Sequence, residues 1–237
     1  MSAFARRVSA EFLGSLLLAA LVVGSGIAAQ QLSPNDVGLQ LLENAIATAL
    51  GLFAIILIFA PISGAHFNPV VSLVDAALGY RSWRDVGAYV PAQVLGCITG
   101  TVVANLMFAL PAASISETER LTAPHLLGEV VATAGLVLVI FSLVRSGRAN
   151  LAPAAVGAYI GAAYFFTSSA SFANPAITVG RMFTDTFAGI APSAAPAYIA
   201  AQLAGGLLGL ALVRLFYPTA LQSPAADEAP AVAVRTV

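Results

Sequence analysis

The chain contains no lysine, and its ten basic residues are all arginines. Charged groups reach only 9% of the 237 positions, against about 25% for a domain whose surface faces water. That deficit excludes a surface covered mostly by water. The net charge of -1 excludes a basic field for nucleic acid. A single cysteine, Cys97, excludes an internal disulfide framework. Neither a nucleophile with its base, nor a metal-ligand cluster, nor a nucleotide-binding loop can be picked out, which points away from catalysis, cofactors and bound metal. What the chain has in excess is apolar, with 59% hydrophobic residues and a mean hydropathy of +0.90. The covering medium these proportions imply is a lipid bilayer.

Apolar runs at about 8–29, 40–61, 85–109, 125–145, 151–168 and 194–217 each approach the ~20 residues that cross a ~30 Å hydrocarbon core. The first follows Arg6 and Arg7 but is too long for a secretory signal and lacks its small-residue cleavage site. Six membrane helices in one domain, residues 1–217, are expected. A Pro/Ala-rich tail, 218–237, follows and is expected to be disordered. Arginine sets the orientation. Arg6, Arg7, Arg81, Arg84, Arg145, Arg148, Arg214 and Arg235 fall on one side of such a chain, and only Arg120 and Arg181 on the other. The positive-inside bias then puts both termini and the tail in the cytoplasm.

The chain also repeats itself. "AYVPAQVLG" at 88–96 returns as "AYIAAQLAG" at 197–205, and Asn68-Pro69 returns as Asn174-Pro175. Glu11 and Glu129 stand near the starts of the first and fourth spans. Repeat one covers about 8–109 and repeat two about 125–217. Each holds three spans, an odd number, so the second half enters the membrane from the opposite side as an inverted repeat. About ten residues follow each Asn-Pro before the chain turns polar, too few to cross but enough for ~15 Å of helix. Asn at the cap with Pro at the first helical position is a natural helix start. The expected fold is an all-α membrane protein with six transmembrane helices plus two re-entrant half-helices. The polar stretches before them, "SGAHF" and "SSASF", would be irregular backbone, tolerated at that depth only beside water or buried in protein. Glycine-rich faces such as "GSGIA" and "QLAGGLLG" suit close helix packing, and Gln93 and Gln202 suit buried hydrogen bonding near the loops.

Two half-helices begun by Asn-Pro in an inverted six-helix repeat resemble the aquaporin family, the major intrinsic proteins. "SGAHFNPVVS" is similar to the family's first motif, with Val70 where Ala is usual, and "FANPA" to the second. The resemblance spans roughly residues 8–217. It implies a pore motif of Asn68, Pro69, Val70, Asn174, Pro175 and Ala176, each Asn offering a side-chain N–H to a passing solute. The carbonyls of Gly64, Ala65 and His66, and of Ser169, Ala170 and Ser171, would form the acceptor ladder. Both half-helices would aim their positive ends at the centre and repel cations. Glu11 and Glu129 would anchor the loops through backbone N–H groups rather than relay protons, and His66 would be a further anchor, with a pH gate left open. The family assembles as homotetramers.

Substrate choice in this family rests on an outer constriction, and here the sequence departs from the pattern. Ile177 stands where Arg normally follows the second motif. Counting from the two Asn residues gives Thr48, Ala162 and Ser171 as the other filter positions. Such a mouth is expected to be wide and uncharged. That suits neutral solutes larger than water, such as glycerol, urea or undissociated metalloid hydroxides like arsenous acid. "SFANPAITVGRMFTDTFAGI" also resembles a bacterial branch linked with arsenic resistance, implying a bacterial inner membrane. Arg181 is expected one turn past Ile177 in the outer vestibule. There it would complement the half-helix C-terminus and pair with Asp185, or act as a charge displaced outward. A secondary transporter, which also uses inverted repeats and broken helices, remains the alternative.

Overall fold

The computed structural model describes residues 1–218, and these form helices and connecting turns with no strand. In chain order the helices are α1 (Ala3–Leu32), α2 (Val37–Ser63), α3 (Pro69–Ala77), α4 (Trp83–Met107), α5 (Ala123–Arg145), α6 (Ala152–Phe166), α7 (Pro175–Gly180) and α8 (Ala195–Phe216). Six of the eight, all but α3 and α7, belong to spans long and apolar enough to cross a bilayer; a 3₁₀ turn, Ala149–Leu151, lengthens the α6 span. Of the tail expected to be disordered, only Pro218 lies within the described residues, and 219–237 lie outside them.

Side-chain caps start the long helices where the sequence places small polar residues. Ser2, Asp36, Ser82 and Thr122 each accept a first-turn backbone N–H, which stabilises a helix start by about 1 kcal/mol. The half-helices are shorter than the ten residues expected: α3 has nine and α7 six. The second tightens into a 3₁₀ turn, Arg181–Phe183. Its released carbonyls find other donors, Ser116 N–H at Met182 (3.0 Å) and both Ser114 N–H (3.2 Å) and Asn105 Nδ2 (3.0 Å) at Phe183.

The two repeats close by the same device. In α4, Gly96 and Gly100 sit so near α1 that an added Cβ would strike the carbonyl oxygens of Phe12 and Leu16. In α8, Gly205 and Gly209 stand likewise against the Val130 and Ala134 carbonyls of α5. Small residues four apart let two helix backbones touch, which supplies packing where lipid gives no hydrophobic drive. Outward faces carry Leu50, Leu57, Leu127 and Leu207, each more than half exposed, as side chains facing acyl chains should be.

Contacts at the ends define two faces. Arg7 pairs with Asp85 at 3.0 Å and Arg214 donates to the Ala77 carbonyl at 3.0 Å, so the start of α1 and the end of α8 share a face with the α3–α4 turn. On the other face, Phe187 N–H donates to Gln30 at 2.8 Å. There the α4–α5 loop meets the segment after α7, with Ala191 N–H donating to the Thr118 carbonyl at 2.9 Å.

Replacing Gly100 with leucine should separate α1 from α4 and cost about 1–3 kcal/mol or more. Gly87, where an added Cβ meets nothing within 4 Å, is the control. Thermal unfolding in detergent should show Gly100→Leu strongly destabilised and Gly87→Ala unchanged or slightly more stable.

Candidate pore

The segments before the half-helices are built on left-handed backbone. Gly64, Ala65 and Phe67 have φ of 93°, 52° and 49°, and Ala170, Ser171 and Ala173, each 106 positions later, have 56°, 48° and 48°. For residues with a Cβ this conformation costs on the order of 1 kcal/mol each. A buried carboxylate holds each loop in place. Glu11, wholly buried, accepts His66 N–H at 3.0 Å on one oxygen and Phe67 N–H at 2.7 Å on the other. Glu129, equally buried, accepts Phe172 N–H at 2.9 Å and Ala173 N–H at 2.8 Å in the same two-oxygen fashion. Gln93 and Gln202 each donate to their carboxylate and to a half-helix hydroxyl, Ser72 and Thr178. His66 is a further strut, with Nδ1 3.0 Å from Ser72 Oγ and Nε2 3.4 Å from Asp75.

The left-handed turns point carbonyls away from the loop's own bonding. Among the described residues, the carbonyls of Gly64, Ala65, His66, Ser169, Ala170 and Ser171 accept no hydrogen bond. Asn68 and Asn174 are the half-helix caps, extended as a residue before proline must be. Each Oδ1 accepts from its own half-helix: Asn68 from Val70 N–H, and Asn174 from Ala176 and Ile177 N–H. Each Nδ2 crosses to the other loop, Asn68 to the Ala173 carbonyl and Asn174 to that of Phe67, both at 2.8 Å. That leaves one N–H of each amide without a partner among the described residues. Val70 fills space left by Gly206, where a Cβ would meet its Cγ1.

Two cavities flank this centre. The larger, about 540 Å³, runs from Asn68 and Asn174 to Tyr80, Arg81 and Asn150 on the face holding both chain ends. The smaller, about 450 Å³, opens among Gln30, Thr118 and Thr186 on the opposite face. Among the described residues, only Tyr164 and Arg181 line both.

Placement of the expected filter residues is mixed. Thr48, Ser171 and Ile177 line the larger cavity. Ala162 does not; it is exposed on the outside of α6. The α6 residues that face the cavity are Ala152, Pro153, Val156, Ile160 and Tyr164, the last three four apart, which places Ala162 about half a turn away. Tyr164 lines the cavity there, its hydroxyl 3.1 Å from Thr48 Oγ1. In the carbonyl ladder, Gly64, Ala65, His66 and Ser171 line the larger cavity and Ala170 the smaller, whereas Ser169 lines neither and uses its hydroxyl on Ser171 N–H.

Arg181 departs furthest from expectation. It is only 4% exposed and does not pair with Asp185, whose Oδ1 accepts Glu117 N–H instead. Its Nε donates to the Ala188 carbonyl, and its guanidinium lies 3.4 Å from the centroid of the Phe172 ring. Arg120 lies over the same ring at 5.5 Å and donates to the Gly189 and Phe187 carbonyls. The mouth is therefore not uncharged. Tyr164, Phe172 and Arg120 are not among the site residues expected from the sequence; the four-residue spacing of Val156, Ile160 and Tyr164 is the signal that would put Tyr164 on the inner face of α6.

An inverted pair of three-helix repeats, whose half-helices meet tip to tip beside free carbonyls, defines an integral membrane protein of the channel class. The profile described as Major intrinsic protein matches residues 1–172. Aquaglyceroporin AqpS of Rhizobium meliloti (strain 1021) is 49% identical over 209 residues, covering 88% of this chain and 89% of that protein. Aquaporin NIP1-1 of Zea mays is 33% identical over 192 residues, covering 75% and 64%. The X-ray structure of the aquaglyceroporin from Plasmodium falciparum shares the fold, with a TM-score of 0.70 at 23% identity over 91% of this chain and 98% of that one. The chain belongs to the major intrinsic protein family.

The two-oxygen grip of Glu129 makes its amide replacement costly. Glutamine keeps one acceptor and turns an amino group toward the second backbone N–H, so Glu129→Gln should lose about 1–3 kcal/mol, and Glu129→Leu more. Thermal unfolding of the purified variants checks the order; equal stability of Glu129→Gln and the parent protein would contradict the anchoring role.

Proposed function

We propose that the chain forms a passive channel for small neutral solutes, among them water, glycerol, urea and undissociated metalloid hydroxides such as arsenous acid. The observation that carries this reading is the line of unengaged carbonyls and half-engaged Asn amides between two cavities, the larger of which faces them with apolar wall such as Leu52, Ile56 and Ile160. A neutral solute exchanges its water for these groups on one side and slides along hydrocarbon on the other. The positive ends of α3 and α7 meet at Asn68 and Asn174, where they disfavour a cation or hydronium. Neither a chemical step nor a cofactor is needed for this work. A relative named as an aquaglyceroporin supports the solute class, and the bacterial motif resemblance supports arsenous acid within it.

Residues 1–217 act as one channel domain in this reading. Pro69, Pro175, Val70 and Ala176 seat the half-helices, while Glu11, Glu129 and His66 hold the loops. The arginine bias supports an inner-membrane protein with both termini cytoplasmic, and family membership supports a homotetramer.

Stopped-flow swelling of proteoliposomes tests the reading. Glycerol, urea and arsenous acid should enter down their gradients faster than into protein-free vesicles, with no Na⁺ or K⁺ conductance. Ion flux as fast as that of glycerol would refute it, and saturable uptake against a gradient would favour a secondary transporter.

A further inference from the structure

Arginine is absent from the position directly after the second motif, yet a guanidinium stands in the passage. We propose that Arg181, one helical turn further on, is this chain's filter cation, and that with Tyr164 it sets which solutes pass; the proposal rests on the channel reading.

The two residues alone border both cavities among those described, so a solute moving from one cavity to the other passes between them. The displacement is four residues, about 6 Å along a helix axis. Arg181 is buried, and of its five N–H groups only the one on Nε meets a protein acceptor among the described residues. The four on its terminal nitrogens are free for a solute. The side chain is held flat by the Phe172 ring on one face and the Ala188 carbonyl at its edge. Phe172 stands 106 positions after His66, so the first repeat carries an imidazole strut where the second carries a platform for the cation. Seven residues past each Asn the repeats also differ in charge: Asp75, 3.3 Å from Arg81, faces one mouth, and Arg181, without a carboxylate partner among the described residues, the other.

Arg120 adds a second cation over the same ring. Together the two raise the potential that a cation must climb, while Asp185 on the smaller cavity and the buried Glu129 limit it. The Tyr164 hydroxyl, 3.1 Å from Thr48 Oγ1, borders the same cavity. Ile177 and the Phe172 ring supply apolar wall. Donors on one side and hydrocarbon on the other fit a solute with two or more oxygens on a short carbon or metalloid centre. A bare cation gains nothing there.

The test uses proteoliposomes holding the parent protein, Arg181→Gln and Arg181→Lys. Glutamine can still reach the Ala188 carbonyl but carries no charge; lysine keeps the charge without the planar fork. Swelling in glycerol and in the longer polyol xylitol, and Na⁺ leak under a gradient, are measured on each. Arg181→Gln should raise Na⁺ leak about tenfold or more and increase xylitol flux relative to glycerol. Arg181→Lys should keep Na⁺ out. The proposal is overturned if Arg181→Gln matches the parent in both readouts, or if Arg181→Lys leaks as freely as Arg181→Gln. Parent vesicles that carry neither polyol would instead overturn the channel reading itself.

Discussion

Two carboxylates buried where no water reaches them, each gripping two consecutive backbone N–H groups, are what the remainder of this molecule depends on. Inside a bilayer every amide must find a partner within the protein, and irregular backbone offers none of its own. Glu11 and Glu129 supply the acceptors and so let residues 64–68 and 170–174 stay unwound at mid-depth. Because the N–H groups turn inward to the carboxylates, the carbonyls turn the other way, toward the cavities. The acceptor line and the loop anchors are thus two sides of one backbone conformation. Five residues with a Cβ accept left-handed φ to achieve it.

Superimposed on this symmetry are differences that make the two mouths chemically unlike. The loops, anchors, glutamines and touching glycines repeat almost atom for atom between halves. What changes is the chemistry at equivalent points: His66 against Phe172, and Asp75 against Arg181. One mouth holds an Asp75–Arg81 pair with Tyr89 3.1 Å from Arg81, and the other holds two arginines over one aromatic ring. The scaffold is duplicated, but its electrostatics are not.

Much of the scaffold was legible in the sequence because it follows from short-range rules. Span length, Asn-Pro starts and a doubled motif each have a local physical meaning, and the helices fall where those signals lie. The buried partners of Glu11 and Glu129 were foreseeable because an intramembrane acid must be satisfied. The filter was less legible. Counting back from Asn174 gave Ala162, but the half-turn error that exposes it depends on how α6 ends at Phe166, where Thr167 donates both its N–H and its hydroxyl to the Ala163 carbonyl. Arg181 could be placed on the right helix face, yet its side chain turns inward because Phe172 and the Ala188 carbonyl, distant in no simple pattern, hold it there. Long flexible side chains take their direction from tertiary neighbours, and spacing alone does not name those.

The crossed amides also bear on the order in which the molecule is completed. Glu11, Ser63, Ser72 and Gln93 all belong to the first repeat, so the first loop can be anchored as soon as that half has entered the membrane. Its tip cannot. The acceptor for Asn68 is the carbonyl of Ala173, 105 residues downstream, and the acceptor for Asn174 is that of Phe67. Since synthesis runs from the N-terminus, the first half waits with an unpaired amide at its centre until the second arrives. The midpoint of the passage is therefore the last part of the polar core to close, and a nascent first half on its own has no finished conduit.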